Sequence, residues 1–404
     1  MSFEIHYSFE RSHFKKIIQN FIITITMTGS SNSKVFEGSS YFRLRLVLAT
    51  LSRTTIKIKN IRVKADEPGL REFEASFLRL LDKLTNGSVI EINATGTSLY
   101  YQPGILHGGE IEHDCSVQRG IGYYLEMLVC LAPFCKKSIR ATLRGVTSES
   151  NDPSVDAIKF STFPVLKRFL GDDDRINLVI NKRGLAPEGG GQVTFGCPIK
   201  PKLIPVQYQD PGKVKRIRGV AWACRTSPVM ANRMVDAARG VLNQFLTDVY
   251  IYTDHAGPAR TGKSPGFGIT LWAETINGSV YLAETCSNPK SSNDKDFKPS
   301  IPEDLGTEAA QLLLEEICRG GCVDSTNQSL AALLMVLGQT DVSKLEIGPL
   351  TPYTIEFLRS IREFFQVMFK LEPKTNDEEL QLGDDKILLT CVGVGFTNLS
   401  KTIL

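Results

Sequence analysis

The feature that most constrains the fold is a recurrent alternation of helix and strand patterns, about sixty to seventy residues per turn. "SNSKVFEGSSYFRLRLVLATLSRTTIKIKNIR" reads strand, turn, helix, strand. "PGLREFEASFLRLLDKLT", Pro68 to Thr85, opens on a helix-initiating proline and carries apolar residues at helical spacing. "NGSVIEINATGTSLYYQPG" then alternates as paired strands with glycine turns. The same order follows in "RGIGYYLEMLVCLAPF" (helix), "KSIRATLRGVTS" (strand), "DPSVDAIKFSTFPVLKRFL" (helix) and "RINLVINKRGLAPEGGGQVTFGCPI". A chain patterned this way is expected to be α/β, built of repeated layered units.

Pro198 to Gly212 breaks the alternation with proline and polar residues. Beyond it, "KRIRGVAWACRTS", "MANRMVDAARGVLNQFLTDVYIYTDH" and "GFGITLWAETINGSVYLAETC" read strand, helix, strand, strand, and "SNPKSSNDKDFKPSIPEDLG" closes that unit as a loop. Two further helices, "TEAAQLLLEEICRGG" and "TNQSLAALLMVLG", precede "VSKLEIGPLTPYTIEFLRSIREFFQVMFKLEP", a strand, a turn and an amphipathic helix. A length of 404 residues fits more than one domain. The expected organisation is an N-terminal extension (1–30), a large domain in two parts (31–203 and 304–373), a small α/β domain inserted at 204–303, and an acidic loop with a C-terminal tail (374–404). "KILLTCVGVGFTNL" within that last stretch reads as a final strand or a tail.

With 47 Lys+Arg against 44 Asp+Glu, the net charge of +3 demands no polyanionic partner. Affinity for nucleic acid would have to come from local clustering. Nine cysteines, an odd number scattered along the chain, fit reduced thiols in the cytosol or nucleus. Cys318 and Cys322 have no second pair and no nearby histidine, which argues against zinc. The apolar run "IIQNFIITITM" is shorter than the roughly 20 residues of a membrane helix. It reads as a buried strand or as sequence ahead of a natural start at Met27, and no membrane association is expected.

Four stretches could carry chemistry. In "GSSYFRLRL", Gly38 to Leu46, Arg43 and Arg45 share a face if the segment is a strand. If it opens a helix, Ser39 or Ser40 could cap it and the free amides would suit a phosphate. A solvated basic edge is the plain alternative. "GILHGGEIEHDCSVQRGIGYYLE" gathers His107, His113, Asp114, Cys115 and Arg119 in no standard zinc spacing. The expected reading is a buried His113 hydrogen-bonded to a neighbour, with Arg119 facing an anion groove. "RGLAPEGGGQVTF" places Gly189, Gly190 and Gly191 after Lys182 and Arg183, without the lysine and Ser/Thr of a P-loop. Those glycines either cradle an anion or turn the chain into the strand "QVTFGCP". In "IGPLTPYTIEFLRSIREFF", Thr351, Tyr353 and Thr354 form a turn before a helix, and Arg359 and Arg362 lie on one helical face. Such a pair can grip two RNA phosphates or simply meet solvent.

The blocks "FRLRLVLATLS", "PGLREFEASFLRLLDKLTNGS", "HDCSVQRGIGYYLE", "LAPFCK", "LRGVT", "GLAPEGGGQV", "RIRGVAW" and "STNQSLAALLMVLG" carry a resemblance from Val35 to about Pro373. The sequence resembles the RNA 3'-terminal phosphate cyclase family, and within it the cyclase-like branch of ribosome biogenesis proteins. That implies a large domain of repeated α/β units with a small α/β domain inserted. Cyclases of the family attack the α-phosphate of ATP with a histidine near the end of the large domain, and the matching position here is Tyr353. A phenol of pKa near 10 is a poor nucleophile at neutral pH. The resemblance therefore implies no adenylyl transfer, no catalytic residue and no cofactor or metal; His113 and His255 stand elsewhere. Cyclases also have a glycine-rich, acidic opening where this chain has "EGSSYFRLR". Arg43, Arg45, Arg119, Arg183 and the three glycines fall where cyclases hold phosphates, and with Arg359 and Arg362 they make the expected anion or RNA groove.

The resemblance further implies a non-catalytic factor of the nucleus and nucleolus that assembles the small ribosomal subunit. Its implied partners are a large ribosome biogenesis GTPase, pre-rRNA and the small-subunit precursor particle, and its role is pre-rRNA processing and 18S rRNA maturation. Endonucleolytic cleavage of pre-rRNA is the alternative. Metal-assisted cleavage needs clustered oxygen ligands, and no compact acidic cluster is expected near the groove. Metal-free cleavage needs a placed base and acid, whereas Arg359 and Arg362 supply only charge stabilisation. Asp324 is available but is as readily a helix cap, and Arg216 and Arg218 are candidates for a protein dock.

Overall fold

The computed structural model describes residues 33–288, 299–374 and 385–398. The N-terminal extension with its apolar run, and residues 375–384 of the acidic loop, lie outside the described residues.

The recurrence in the sequence is a structural repeat. Its first copy runs β1 (Lys34–Glu37), α1 (Phe42–Ser52), β2 (Ile56–Lys59), α2 (Glu72–Leu84), a short β3 (Thr85–Asn86), β4 (Val89–Ile92) and β5 (Leu99–Gln102); β6 (Ile105–Leu106) pairs with β3. The second runs β7 (Gly108–Asp114), α3 (Ile121–Leu131), β8 (Lys137–Gly145), a helical stretch, β9 (Asn177–Lys182) and β10 (Gly191–Cys197). That helical stretch is α4 (Val155–Ala157), a π-turn (Ile158–Thr162) and α5 (Phe163–Leu170). The third copy opens on β11 (Gln207–Tyr208), then departs through β12 (Val214–Cys224), α6 (Val229–Leu242), β13 (Val249–Ala256), β14 (Gly266–Thr275), β15 (Val280–Cys286) and α7 (Pro302–Arg319). It resumes with α8 (Gln328–Val336), β16 (Val342–Ile347), α9 (Pro352–Phe365), β17 (Lys370–Lys374) and β18 (Lys386–Val392).

The sheet orders are β1-β2-β5-β4, β7-β8-β10-β9 and β11-β16-β18-β17. In each, the first two strands are parallel and the other neighbours antiparallel. Helices from all three copies bury Leu46, Leu81, Leu125 and Leu333 in one core with Phe195 and Leu389 from the strands. The fold is mixed α/β, the architecture that the alternating patterns imply.

The inserted sheet, in the order β13-β12-β14-β15, has its own core. Ala231, Met234 and Ala238 of α6 meet Ala309, Ala310 and Leu313 of α7 over Ile217, Ile251 and Leu271. The boundary drawn at Asp304 therefore cuts through a helix belonging with the inserted sheet. Amphipathic spacing shows that a helix buries one face but not which sheet receives it.

Two other expectations change. The segment read as a strand or tail is β18, lying between β16 and β17, so the third sheet is incomplete without it. The helix expected from Pro68 starts at Glu72, because Gly69 sits at φ 92° and the Leu70 amide donates to the Gly96 carbonyl. Glu74 then caps the helix by accepting from the Arg71 amide at 2.8 Å, satisfying an otherwise orphan donor.

Candidate functional site

Because α1 is a helix, residues two apart point about 200° apart around it. Of the two readings offered for this stretch the helical one holds, so Arg43 and Arg45 do not share a face. Arg45 donates to the carbonyls of Glu37 and Gly38 at 3.3 and 3.1 Å and covers the Phe36 ring at 4.7 Å, bracing the β1–α1 turn. Arg43 turns the other way, donating to the Tyr123 carbonyl at 3.3 Å and pairing with Glu126 at 2.5 Å. Burial alone would lower the Arg43 pKa; Glu126, then Tyr353, outweigh it and hold the guanidinium above its usual value. The helix begins after Tyr41 at φ 55°, and neither Ser39 nor Ser40 caps it.

Tyr353 stands in the first turn of α9. Thr351 caps that turn by accepting from the Thr354 amide at 3.1 Å, and the Thr354 hydroxyl is tied to Gln328 at 3.0 Å. The phenol ring lies 5.9 Å from Tyr41 and 6.1 Å from Phe357. With Arg43, Glu126, Cys130 and Asn327 it lines a cavity of about 50 Å³. Tyr353 is 39% exposed at the rim. Protein packed around its hydroxyl raises its pKa, against the opposing pull of Arg43. A phenol made harder to ionise is a poorer nucleophile still.

Arg119 grips Asp152 through two donors, with Nε–Oδ2 at 2.7 Å, and stacks over Tyr123 at 4.6 Å. Arg43 covers the same ring at 4.7 Å, so the two arginines converge on Tyr123, and of the two it is Arg43 that lines the cavity with Tyr353. Each arginine, however, already holds a carboxylate.

Arg183 is not in a groove. It is 5% exposed, donates to Asp156 at 2.6 and 3.2 Å and to Asp254 at 3.0 Å, and so ties the second repeat to the inserted sheet. The reason is its position: the chain leaves β9 between α4 and β13, and a guanidinium there must find buried carboxylates. The triple glycine serves the same joint. Gly189 and Gly190 adopt φ 62° and 82°, and a Cβ on Gly191 would lie 2.7 Å from the Gly184 amide nitrogen and from Thr147. The Lys263 amide donates to the Gly189 carbonyl at 3.1 Å, so the stretch is a turn at which backbones cross, rather than an open cradle.

Arg359 and Arg362 are exposed on α9, and Arg359 pairs with Glu356 at 3.1 Å. They do not line the cavity beside Tyr353. Arg216 and Arg218 stand on β12, paired with Glu274 at 2.7 Å and Asp248 at 2.8 Å. His113 is buried with Nε2 2.9 Å from the Ser76 hydroxyl, as its surroundings in the sequence imply. Burial, helped by Lys83, pushes its pKa down to about 4. Asp324 accepts from the Asn327 amide at 3.1 Å ahead of α8 and from the Ser161 hydroxyl, anchoring that turn.

The sequence reading missed the acids. A cavity of about 760 Å³ shares Glu126, Thr162, Thr326 and Asn327 with the small one, and its lining adds Glu149, Asp152, Glu284, Glu308, Glu315 and Glu316. These acids are spread around a large space, and among the described residues no three of them stand close enough to hold a metal ion. One signal was legible: Glu308 and Glu315 fall about two helical turns apart in "TEAAQLLLEEICR", with Glu316 next to Glu315. Glu126, Glu149 and Glu284 come from separate elements and left none.

A repeated α/β scaffold with an insertion in its third copy, and a small cavity beside Tyr353, corresponds to one protein class. The model of the family described as RNA 3'-terminal phosphate cyclase matches residues 34–371, and the chain belongs to that family. It is similar to the Homo sapiens RNA 3'-terminal phosphate cyclase-like protein, with 59% identity across 93% of this chain and 100% of that one. A Drosophila melanogaster probable cyclase-like protein is 51% identical, across 92% of this chain and 98% of its own. The rRNA processing protein rcl1 of Schizosaccharomyces pombe is 43% identical, again across 92% and 98%.

Proposed function

We propose that the chain acts in rRNA processing as a non-catalytic assembly factor of the small ribosomal subunit, in the nucleus and nucleolus. It supports pre-rRNA processing and 18S rRNA maturation, and its partners are a large ribosome biogenesis GTPase and the pre-rRNA of the precursor particle. The observation that carries the reading is the state of the Tyr353 pocket. A tyrosine with a raised pKa stands at the position that the resemblance matches to the cyclase nucleophile, and Arg43 and Arg119 are already ion-paired. Similarity to the fission-yeast rRNA processing protein supports the pathway, and the cyclase-like relatives fit a scaffold that has lost the parent reaction.

The test has two arms. Purified protein is incubated with ATP labelled at the α-phosphate and a divalent ion, then with pre-rRNA fragments spanning the processing sites; neither a covalent adenylate nor specific cuts are expected. Depletion in cells, with pre-rRNA followed by pulse labelling, should cut 18S rRNA output while 28S persists. Specific cleavage that disappears on Arg43→Ala would replace the scaffold reading with the endonuclease. Normal 18S production after depletion would remove the pathway assignment.

A further inference from the structure

The large cavity opens where the inserted unit faces the second repeat. Its walls are the loop after β8, the strand β15, the helix α7 and the turn at 325–327. Along α7, Leu305, Glu308, Leu312, Glu315 and Arg319 follow at three- and four-residue steps, so one helical face supplies a wall of alternating acid and leucine. Glu284 and Glu149 also line the space. Among the described residues of the lining the single basic side chain is Arg319, and it is already paired with Glu315 at 2.8 Å and Glu316 at 3.1 Å.

The cations that reach these acids, among the described residues, are Arg43, Arg119 and Arg319. Ser148 is 6% exposed, lines the cavity, and its hydroxyl makes no hydrogen bond, whereas Glu126 is ion-paired with Arg43. Glu284 accepts from the Ser154 amide at 2.8 Å and from two hydroxyls. Burial pushes the pKa values of Glu284 and Glu149 up to about 7, in Glu149 despite Arg119 at 3.9 Å.

We propose that this cavity receives an extended peptide segment of a protein partner that carries lysine or arginine. The cationic ends would meet Glu308, Glu315 and Glu284, and the aliphatic stems would lie on Leu305, Leu312 and Leu282. RNA is disfavoured by charge of the same sign. A lone metal ion fits poorly, since among the described residues no group of three or more His, Cys, Asp or Glu side chains is close enough to hold one. A volume of about 760 Å³ suits a chain segment far better than an ion. Peptide capture is separable from rRNA processing, because binding can persist in a protein that fails to support 18S maturation.

The test uses the purified full chain and fluorescein-labelled octa-arginine, read by anisotropy at about 0.15 M salt. Octa-arginine is expected to bind one to one. The paired reversal Glu308→Lys with Glu315→Lys should weaken binding by at least about tenfold. Glu91→Lys with Glu110→Lys, which changes net charge equally at exposed positions outside the lining, should change it by less than about twofold. If the reversal fails to fold, Glu308→Gln with Glu315→Gln decides, with a loss of about threefold expected. Equal losses in the cavity pair and the control pair would overturn the proposal, as would no binding at all. So would oligouridylate binding that the cavity reversal abolishes, or displacement of octa-arginine by equimolar spermine or magnesium ion, which would make the ligand a small cation.

Discussion

Replacing Arg183 by methionine tests the claim that this arginine is a structural tie. Methionine keeps most of the volume and removes the charge. It leaves the Asp156 carboxylate, whose side chain is 3% exposed, without its bidentate partner. Breaking a buried pair in this way costs about 3–5 kcal/mol. Asp254 adds little, since its side chain is 26% exposed and can rehydrate. Urea denaturation can be followed by tryptophan fluorescence, because both tryptophans sit at the joint concerned. The Trp222 ring lies 5.7 Å from the Arg183 guanidinium, and Trp272 stacks on Phe160 at 4.0 Å. With a slope of about 2–3 kcal/mol per molar urea, the midpoint should fall by about 1–2 M. Adding Asp156→Asn removes the stranded charge, and the double variant should recover more than half of the loss. A single variant costing less than about 1 kcal/mol, or a double variant no more stable than the single, would refute the reasoning and return Arg183 to the list of anion ligands.

Stability should also depend on pH through the buried carboxyls. Glu284 and Glu149 have pKa values raised to about 7, so the folded state holds protons that the unfolded state releases from about pH 4.5 upward. Their contribution is complete below that pH and lost as pH rises through 7, at no more than about 1.4 kcal/mol per pH unit each. Thermal melts of Glu284→Gln should show a shallower decline between about pH 4.5 and 7; an unchanged slope would contradict the assignment. His113 acts in the opposite sense: with its pKa lowered to about 4, its contribution is present above 6.5 and fades as pH falls toward 4. Gly190→Ala places a side chain at φ 82° and should cost about 1–2 kcal/mol in the same urea assay, with octa-arginine affinity unchanged per folded molecule. Tyr353→His should yield no covalent adenylate with labelled ATP, because Arg43 remains held by Glu126 and the adjoining cavity remains acidic. A stable adenylate would show that the phosphate site survives intact.

The sequence by itself determined the repeated units, the presence of an insertion and the family. These depend on local information: apolar residues return at helix or strand spacing, and Pro198 to Gly212 breaks the rhythm. It also determined what the Tyr353 position cannot do readily, since a phenol's nucleophilicity is intrinsic to the side chain. Tertiary structure decided where the charges end up. Arg43, Arg119 and Arg183 read alike in the sequence, yet Glu126, Asp152 and Asp156 claim them across 83, 33 and 27 residues. The ownership of α7 and the pairing of β18 were settled the same way, by which apolar face and which strand edge stood nearest in the folded chain. Electrostatic pairing acts over a few ångströms of space regardless of separation along the chain. One sequence can thus announce a basic groove that the fold neutralises, and conceal an acidic cavity assembled from carboxylates on separate elements.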